Sequence, residues 1–414
     1  MARLKGFEKL AGVDEALAIF LKQLKPEKPK AIKIPVQTAL KRVLAENFIA
    51  ETDLPPFDRS AVDGYAVRAE DTFEASQFNP KILKITKSDK IGEKEARPIW
   101  TGNPLPKGAD AAIMLEHTKK LNDKIETWIP VTPGKNVSKK GEDVRKGEVA
   151  VKAGTRLHPH HLGLLAALGA THVNVTEKPR VAILSTGNEL VELGQKPKPG
   201  QIVGVNHLIL SGMCLELGAE PLDMGIVRDD PKKIREKFEE GIKKADVMIT
   251  TGGTSVGYAD LVPKTVNQIG SPGVVVHGIA IRPGMPTALA VLYGKPVFIL
   301  SGNPVAAMIG FEVFARPVLL KLLGVESEPR PVVKAKITRR VAAALGRRVF
   351  LRVHVFEEDD KLLADPVRIK GSGVLTTMTR ANGYVIIPES REGLEKNELV
   401  TVHLFDKVGE AKHV

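Results

Sequence analysis

The stretch Asp246–Asp260, DVMITTGGTSVGYAD, constrains the fold of this chain more than any other. Val247, Met248 and Ile249 form the short apolar run of a strand buried on both faces. Thr250, Thr251, Gly252, Gly253, Thr254 and Ser255 then crowd hydroxyls and side-chain-free positions into a tight turn. Glycine lets the backbone turn sharply and approach a ligand, while hydroxyls and free N–H groups suit phosphate or another oxyanion. Asp260 follows at the entry to an expected helix. The Lys of a Walker A loop is missing, so this is not a P-loop. Taken alone, the segment also reads as a Gly-rich turn without a ligand.

Two further segments repeat the design, VAILSTGNEL (Val181–Leu190) and VFILSGNPVAAM (Val297–Met308). Each is an aliphatic run followed by a hydroxyl, a glycine and polar residues. In an open parallel α/β sheet such turns share the carboxyl edge of the strands, where ligands bind. Glu189, Asp229 and Asp260 all follow strands in this reading, so their carboxylates should meet at that edge.

From Pro179 to about Gly324 the pattern alternates strand and helix, as in a doubly wound domain. Asn206 is placed to cap a helix closed by Gly218, and Asp230 to cap a second with Pro231 at its first position. Upstream, Val13, Ala16, Leu17, Phe20 and Leu24 mark one face of an amphipathic helix, and TALKRVLAEN reads as another. Leu54–Asp71 changes texture to polar turns around Asp58, Arg59, Ser60 and Asp63-Gly64-Tyr65, and the chain to about Asp143 is mostly β. Thr101–Pro104 and Lys140–Asp143 are polar loops that, singly, read as ordinary turns. His158, His160 and His161 sit at the start of a further helix; neighbouring positions diverge on a helix, so a structural role outweighs metal binding. After Pro329 and Pro331 the chain returns to β, with a small antiparallel barrel expected over 332–414.

Composition narrows the function. The net charge of +12 invites a nucleic-acid partner, but the basic residues are dispersed among Glu and aromatics make up only 5%. No stacking platform is present, and no nucleic-acid partner is expected. A single cysteine, Cys214, excludes an intramolecular disulfide, and its apolar helical setting suggests a buried, inert thiol. The N-terminus lacks the apolar core of a signal peptide, and no apolar run approaches the ~18 residues of a membrane span. A cytoplasmic protein without membrane association is expected.

The segments SAVDGYAV, GEDV, STGNEL, TGGTSVGYAD, IRPGMPT and SGNPVAA, in this order, resemble the molybdopterin molybdotransferases of the MoeA type, related to the gephyrin E domain. Single motifs are weak, but six in order over nearly the whole chain are specific. The resemblance implies an N-terminal helix (1–26) packed on the α/β domain, and a connecting domain (27–50 and 146–178). It implies an inserted β-rich domain (51–145), a MogA-like molybdopterin-binding α/β domain (179–326) and a C-terminal β-barrel (327–414).

The implied activity is insertion of molybdate or tungstate into adenylylated molybdopterin, with release of AMP and dependence on Mg²⁺. A homodimer with the active site at the subunit interface is also implied. Carried over by motif, Asp63, Asp229, Glu189 and Asp260 are the expected catalytic carboxylates, the last three also as metal ligands. Thr101, Asp143, Thr186, Gly187, Thr250, Gly252, Gly253, Thr254 and Ser255 are expected on the substrate. So are Ser301, Gly302, Asn303 and Pro304, with Arg282 and Ser372 as oxyanion contacts. The chain departs from the common pattern at Ser301, where many relatives have Pro, and at Arg282, where many have Lys. Arg is the better bidentate oxyanion partner, so binding should survive the change. Three alternatives stand beside it: a molybdopterin adenylyltransferase of the same pathway, a non-catalytic gephyrin-like scaffold, and nucleic-acid binding, which a salt-dependent shift assay at physiological ionic strength would remove. ATP consumption with free molybdopterin would favour the first, and a degenerate site the second.

Overall fold

Helix α1 (Val13–Gln23) forms where the apolar spacing requires it, burying Val13, Ala16 and Phe20 on one side. The second N-terminal helix expected, over TALKRVLAEN, is not formed. Only a single 3₁₀ turn, Val36–Thr38, occurs there, and Lys41 adopts φ 64°, which no α-helix accommodates. Val43 and Leu44 instead bridge to Arg156 and Val175, so tertiary pairing overrides a good local helix propensity.

The computed structural model describes residues 10–25, 29–254, 261–367 and 373–410, in two units, Ile32–Val175 and Met1–Ala31 with Thr176–Val414. The first unit carries a six-stranded sheet of β1 (Gly64–Val67), β2 (Lys81–Ile85), β3 (Glu95–Ile99), β4 (Ala111–Met114), β5 (Thr118–Leu121) and β6 (Lys124–Thr127). Its order is β4-β1-β3-β2-β6-β5, with Tyr65, Val67, Leu83, Ile113 and Ile125 in the core. A separate cluster of Val36, Leu44, Leu157, Leu165, Val173 and Val175 packs around α2 (Pro159–Ala167). Gly169 closes α2 with φ 85°.

In the second unit, β7 (Arg180–Thr186), β8 (Glu220–Val227), β9 (Val247–Thr251), β10 (Pro272–His277), β11 (Ala288–Leu292) and β12 (Lys295–Leu300) form a sheet. The order is β8-β7-β9-β12-β11-β10; the first four are parallel, and β11 pairs antiparallel with both β12 and β10. Helices α3 (Asn206–Leu217), α4 (Pro231–Lys244) and α5 (Leu261–Ile269) accompany it. Phe238, Ile234, Met248, Val266 and Ile299 fill the core of one face. On the sheet, Phe20 of α1 meets Phe298 edge-on with ring centroids 5.3 Å apart.

The helix after β12 has three parts, α6 (Pro304–Gly310), a π-helical stretch over Phe311–Ala315, and α7 (Arg316–Leu322). Pro317 explains the widening. It lacks an N–H and its ring crowds the preceding turn, while the Arg316 N–H reaches back to Phe311 O.

The C-terminal strands are β13 (Val332–Ile337), β14 (Arg348–Glu358), β15 (Lys361–Pro366), β16 (Gly383–Ile387) and β17 (Leu399–Leu404). They run β14-β15-β13-β17-β16, and β16 pairs back onto β14, so the sheet closes into a five-stranded barrel. Val349, Leu351, Val353 and Val355 of β14 alternate into its core.

Candidate functional site

The three glycine-containing turns meet. Ser185 of β7 stands opposite Thr251 of β9, and Thr251 opposite Leu300 of β12, so adjacent parallel strands end level. The Gly252 N–H donates to Leu300 O at 3.2 Å. A Cβ on Gly252 would lie 2.1 Å from Thr186 O, and Gly252 has φ 91°. On Gly253 a Cβ would lie 2.5 Å from Val262 Cγ2. Only glycine allows the central turn to rest against both of these neighbours. Gly302 packs against the same turn more loosely, with the Gly252 Cα 3.5 Å from where its own Cβ would be.

Asn206 joins this knot differently from expectation. Val205 precedes the helix as N-cap without a side-chain bond, and Asn206 is the first helical residue. Its Nδ2 donates to Gly302 O at 2.8 Å, so the side chain ties α3 to the SGNP turn rather than capping its own helix.

Around these turns lies a cavity of about 370 Å³, lined by Thr186, Glu189, Asn206, Gly252, Gly253 and Thr254, and by Ser301 through Pro304. Gly187 serves it indirectly. The Glu189 carboxylate folds back over Gly187, its oxygens 2.6 and 2.8 Å from the place a Cβ would take. Any side chain at 187 would push Glu189 away. Asp229 sits beyond β8 on the same edge, where its N–H donates to Asn188 Oδ1 at 3.2 Å, but it does not line the cavity. Thr250 also corrects expectation: it is fully buried, with Oγ1 unpartnered, and Thr251 lines the cavity instead. Successive strand residues face opposite sides, so only one of the pair can do so. Ser255, Asp260 and Ser372 lie outside the described residues.

A second cavity, of about 550 Å³, adjoins the first through Pro286, Ser301 and Asn303. Arg282, Arg347 and Arg352 line it. Arg282 is brought there by the short strand Ile281–Arg282, which pairs in parallel with the start of β14. Arg352 alternates with the barrel-core residues of β14 and so points out of the barrel, yet it is 5% exposed. Burial, and then the charge of Arg282, lower its guanidinium pKa from the ordinary value. The sequence reading missed Arg347 and Arg352. A lone Arg inside VFLRVHVF was the available signal, because a barrel strand has little other use for a buried cation.

In the unit Ile32–Val175, three polar loops converge. Arg59–Ser60 pairs with Val137–Ser138, Ser60 N–H donates to Asn103 O at 3.0 Å, and Gly102 N–H to Ser60 O at 2.8 Å. Thr101 donates to one Asp63 carboxylate oxygen twice, from its N–H at 2.7 Å and its Oγ1 at 2.8 Å. The backbone N–H bond, followed by the hydroxyl bond, holds the Asp63 carboxyl below its usual range. Gly64 follows of necessity, since its Cβ would fall 1.8 Å from Ile113 O. Asp143 is exposed on the third loop, where its N–H donates to Leu54 O at 3.1 Å. Beside it Asp58 accepts from Lys140 N–H at 2.8 Å and pairs with Lys139 Nζ at 3.1 Å.

The three histidine rings at the start of α2 cluster with centroids 4.1 to 5.9 Å apart, His158 and His160 stacked and His161 tilted to both. His161 Nδ1 accepts the His158 N–H at 3.0 Å, a capping role. Among the described residues no three His, Cys, Asp or Glu side chains are grouped to hold a metal.

Three family models match consecutive parts of the chain: the MoeA N-terminal region, domains I and II (11–169), a probable molybdopterin-binding domain (182–321), and the MoeA C-terminal region, domain IV (334–405). A putative molybdopterin biosynthesis protein of Methanocaldococcus jannaschii is 39% identical over 97% of this chain and 98% of its own. The molybdopterin molybdenumtransferase of Bacillus subtilis is 36% identical over 90% of this chain and 89% of its own. The crystal structure of the molybdopterin biosynthesis MoeA protein from Pyrococcus horikoshii superposes with a TM-score of 0.84, at 36% identity, covering 96% of this chain and 100% of that one.

Proposed function

Because the chain belongs to the MoeA family of molybdopterin molybdenumtransferases, transferases of molybdenum cofactor biosynthesis, we propose that it inserts molybdate or tungstate into adenylylated molybdopterin and releases AMP. The observation that carries this reading is the adjacency of two cavities of different chemistry, one walled by hydroxyls and turn backbone, the other by arginines.

In this reading Thr186, Gly252, Gly253 and Thr254 receive the pterin-side phosphate, since turn N–H groups and hydroxyls replace its hydration shell. Ser301 and Asn303 stand where the cavities join and orient the dithiolene end toward the arginines. Arg282, Arg347 and Arg352 hold the tetrahedral oxyanion, which favours planar donors in fixed directions. The low exposure of Arg352 strengthens that attraction by excluding water.

Glu189 lines the first cavity as a hard oxygen donor, and Asp229, outside its lining, stands on the same edge as a second candidate. Mg²⁺ typically takes one or two carboxylates, substrate phosphates and retained waters, so this donor set fits it. Bound there, Mg²⁺ would polarise the phosphoanhydride and offset charge on the departing AMP. Asp63, Thr101 and Asp143 are proposed to reach the substrate from the second subunit of a homodimer. No described helix is long and apolar enough to cross a membrane, and we place the reaction in the cytoplasm.

The test combines purified protein, adenylylated molybdopterin, Mg²⁺ and molybdate or tungstate, and follows AMP. Oxyanion-dependent AMP release is expected, lost in Glu189→Ala at unchanged melting temperature. Full turnover by that variant would remove the proposed clamp.

A further inference from the structure

The edge of the β7–β12 sheet opposite these cavities also carries one. It is enclosed by the end of α1 (Leu21, Leu24), the starts of β7 and β12 (Pro179, Pro296) and α7 (Val318, Leu322). Its volume is about 130 Å³. An apolar protein cavity of about 150 Å³ takes up benzene, so the space accommodates one aromatic ring.

The walls are apolar but the rim is not. Five lysines, Lys25, Lys30, Lys178, Lys295 and Lys321, line it against two carboxylates, Glu177 and Asp246. Lys295 is committed, its Nζ donating to Ile242 O at 2.7 Å and Ala245 O at 2.8 Å. Asp246 accepts the Arg180 N–H at 2.8 Å. Lys25 follows the end of α1 and Lys321 lies in the last turn of α7, and both partly offset the helix dipoles. Lys30 and Lys178 do not, and neither forms an ion pair among the described residues. Helix capping therefore does not account for the positive rim.

We propose that this amino-edge cavity binds a small monocyclic aromatic anion, its ring against Leu21, Leu24, Val318 and Leu322 and its charged head among Lys25, Lys30, Lys178 and Lys321. The ring would bury apolar surface that the fold leaves uncovered, and the head would remain at the solvent border where the ammonium groups reach it. A neutral ring would leave the cations unanswered, and a bare inorganic anion would leave the apolar walls empty. The site is independent of the oxyanion and pterin cavities, which occupy the other edge.

The test titrates the full-length protein with 4-fluorophenyl phosphate by fluorine NMR, alongside 4-fluorobenzyl alcohol and inorganic phosphate. Leu24→Trp fills the apolar wall, and Lys30→Gln with Lys178→Gln neutralises the rim. Arg282→Ala removes binding at the arginine cavity. One aryl phosphate is expected to bind wild-type protein with a Kd below about 1 mM. Both amino-edge variants should weaken it about tenfold, the alcohol should bind about tenfold more weakly, and Arg282→Ala should leave the bound signal unchanged. Melting curves confirm that each variant is folded, and the two variants alter different walls, so a failure of one leaves the other decisive. Equal affinity in both amino-edge variants, or loss of the signal in Arg282→Ala, overturns the proposal.

Discussion

Arg348 grips Asp14 with both terminal guanidinium nitrogens, at 2.8 and 2.7 Å, across 334 positions of sequence. The pair fastens the start of α1 to the start of β14. Next to it Ala11 exchanges backbone bonds with the turn leading to Arg282, donating to Gly278 O at 3.1 Å and accepting from Ala280 N–H at 2.8 Å. The helix therefore braces the loop that delivers one arginine of the arginine-lined cavity. Asp14 is largely exposed, which limits the pair to about 0.5–1 kcal/mol, and the bidentate geometry favours the upper end. The bond to Arg348 holds the Asp14 carboxyl below its ordinary range. A depressed folded-state pKa gives stability that is present above the unfolded value of 3.8 and lost as pH falls through the folded one. Asp14→Asn should lower the melting temperature at pH 7 but leave it nearly unchanged in strong acid. A pH series of thermal melts on both proteins reads this directly.

Gly252 and Gly294 both have positive φ, 91° and 80°, but differ in their surroundings. A Cβ at 294 meets nothing within 4 Å, whereas at 252 it strikes the Thr186 carbonyl. Gly294→Ala should cost about 1 kcal/mol, the backbone term alone. Gly252→Ala adds displacement of one strand end from its neighbour and should cost more than about 3 kcal/mol. Gly302→Ala meets only ordinary contacts, so it should fold normally and show any loss in substrate binding. Urea unfolding of the three variants separates these cases; equal costs at 252 and 294 would contradict the close approach.

That glycine is also why the site was legible in the sequence. A turn pressed against two neighbouring strand ends admits no side chain, and TGGTS advertises that restriction. Burial direction was harder. Thr250 and Thr251 look alike in the sequence, and only the register of β9 decides which lines the cavity. Asn206 looked like a cap because its competing acceptor, Gly302 O, lies 96 residues away. The false helix over residues 38–47 has the same origin: Leu44 and Val43 gain more from Val175 and Arg156 than from a local helix. Contacts close in sequence could be read from it, whereas partners brought in by the fold could not.

Arg352 tests whether the second cavity is built for an anion. A buried cation with a lowered pKa contributes little to stability and often less than an apolar side chain of similar size. Arg352→Met should therefore change unfolding free energy by less than about 1 kcal/mol while weakening tungstate binding at least about tenfold. Calorimetric titration alongside chemical unfolding distinguishes this from a structural role, in which stability would fall and any binding loss would follow the unfolded fraction.

His161 caps α2 through an unprotonated Nδ1. Burial first, then the charges of His160 and His158, hold its pKa below 6.5. The folded state thus binds this proton less well than the unfolded chain. Stability is complete above pH 6.5 and declines as pH falls through the lower folded value. The lost cap amounts to about 1 kcal/mol. His161→Ala should be less stable at pH 8 and show a flatter pH dependence between 7 and 5, followed by unfolding at each pH.

Asp63 and Glu189 belong to different units of the chain, and the proposed homodimer draws one from each subunit. Asp63→Ala and Glu189→Ala are each expected to be inactive but folded. Subunits mixed after dissociation would pair at random, so about half of the dimers would carry one of each. In those dimers one site inherits both defects and the other is intact. AMP release should then return to about a quarter of the wild-type rate per subunit. Exchange between two Glu189→Ala preparations serves as the baseline, and native mass spectrometry confirms that mixed dimers have formed. If mixed dimers are present and activity stays at that baseline, both carboxylates act within one subunit and the shared site is wrong.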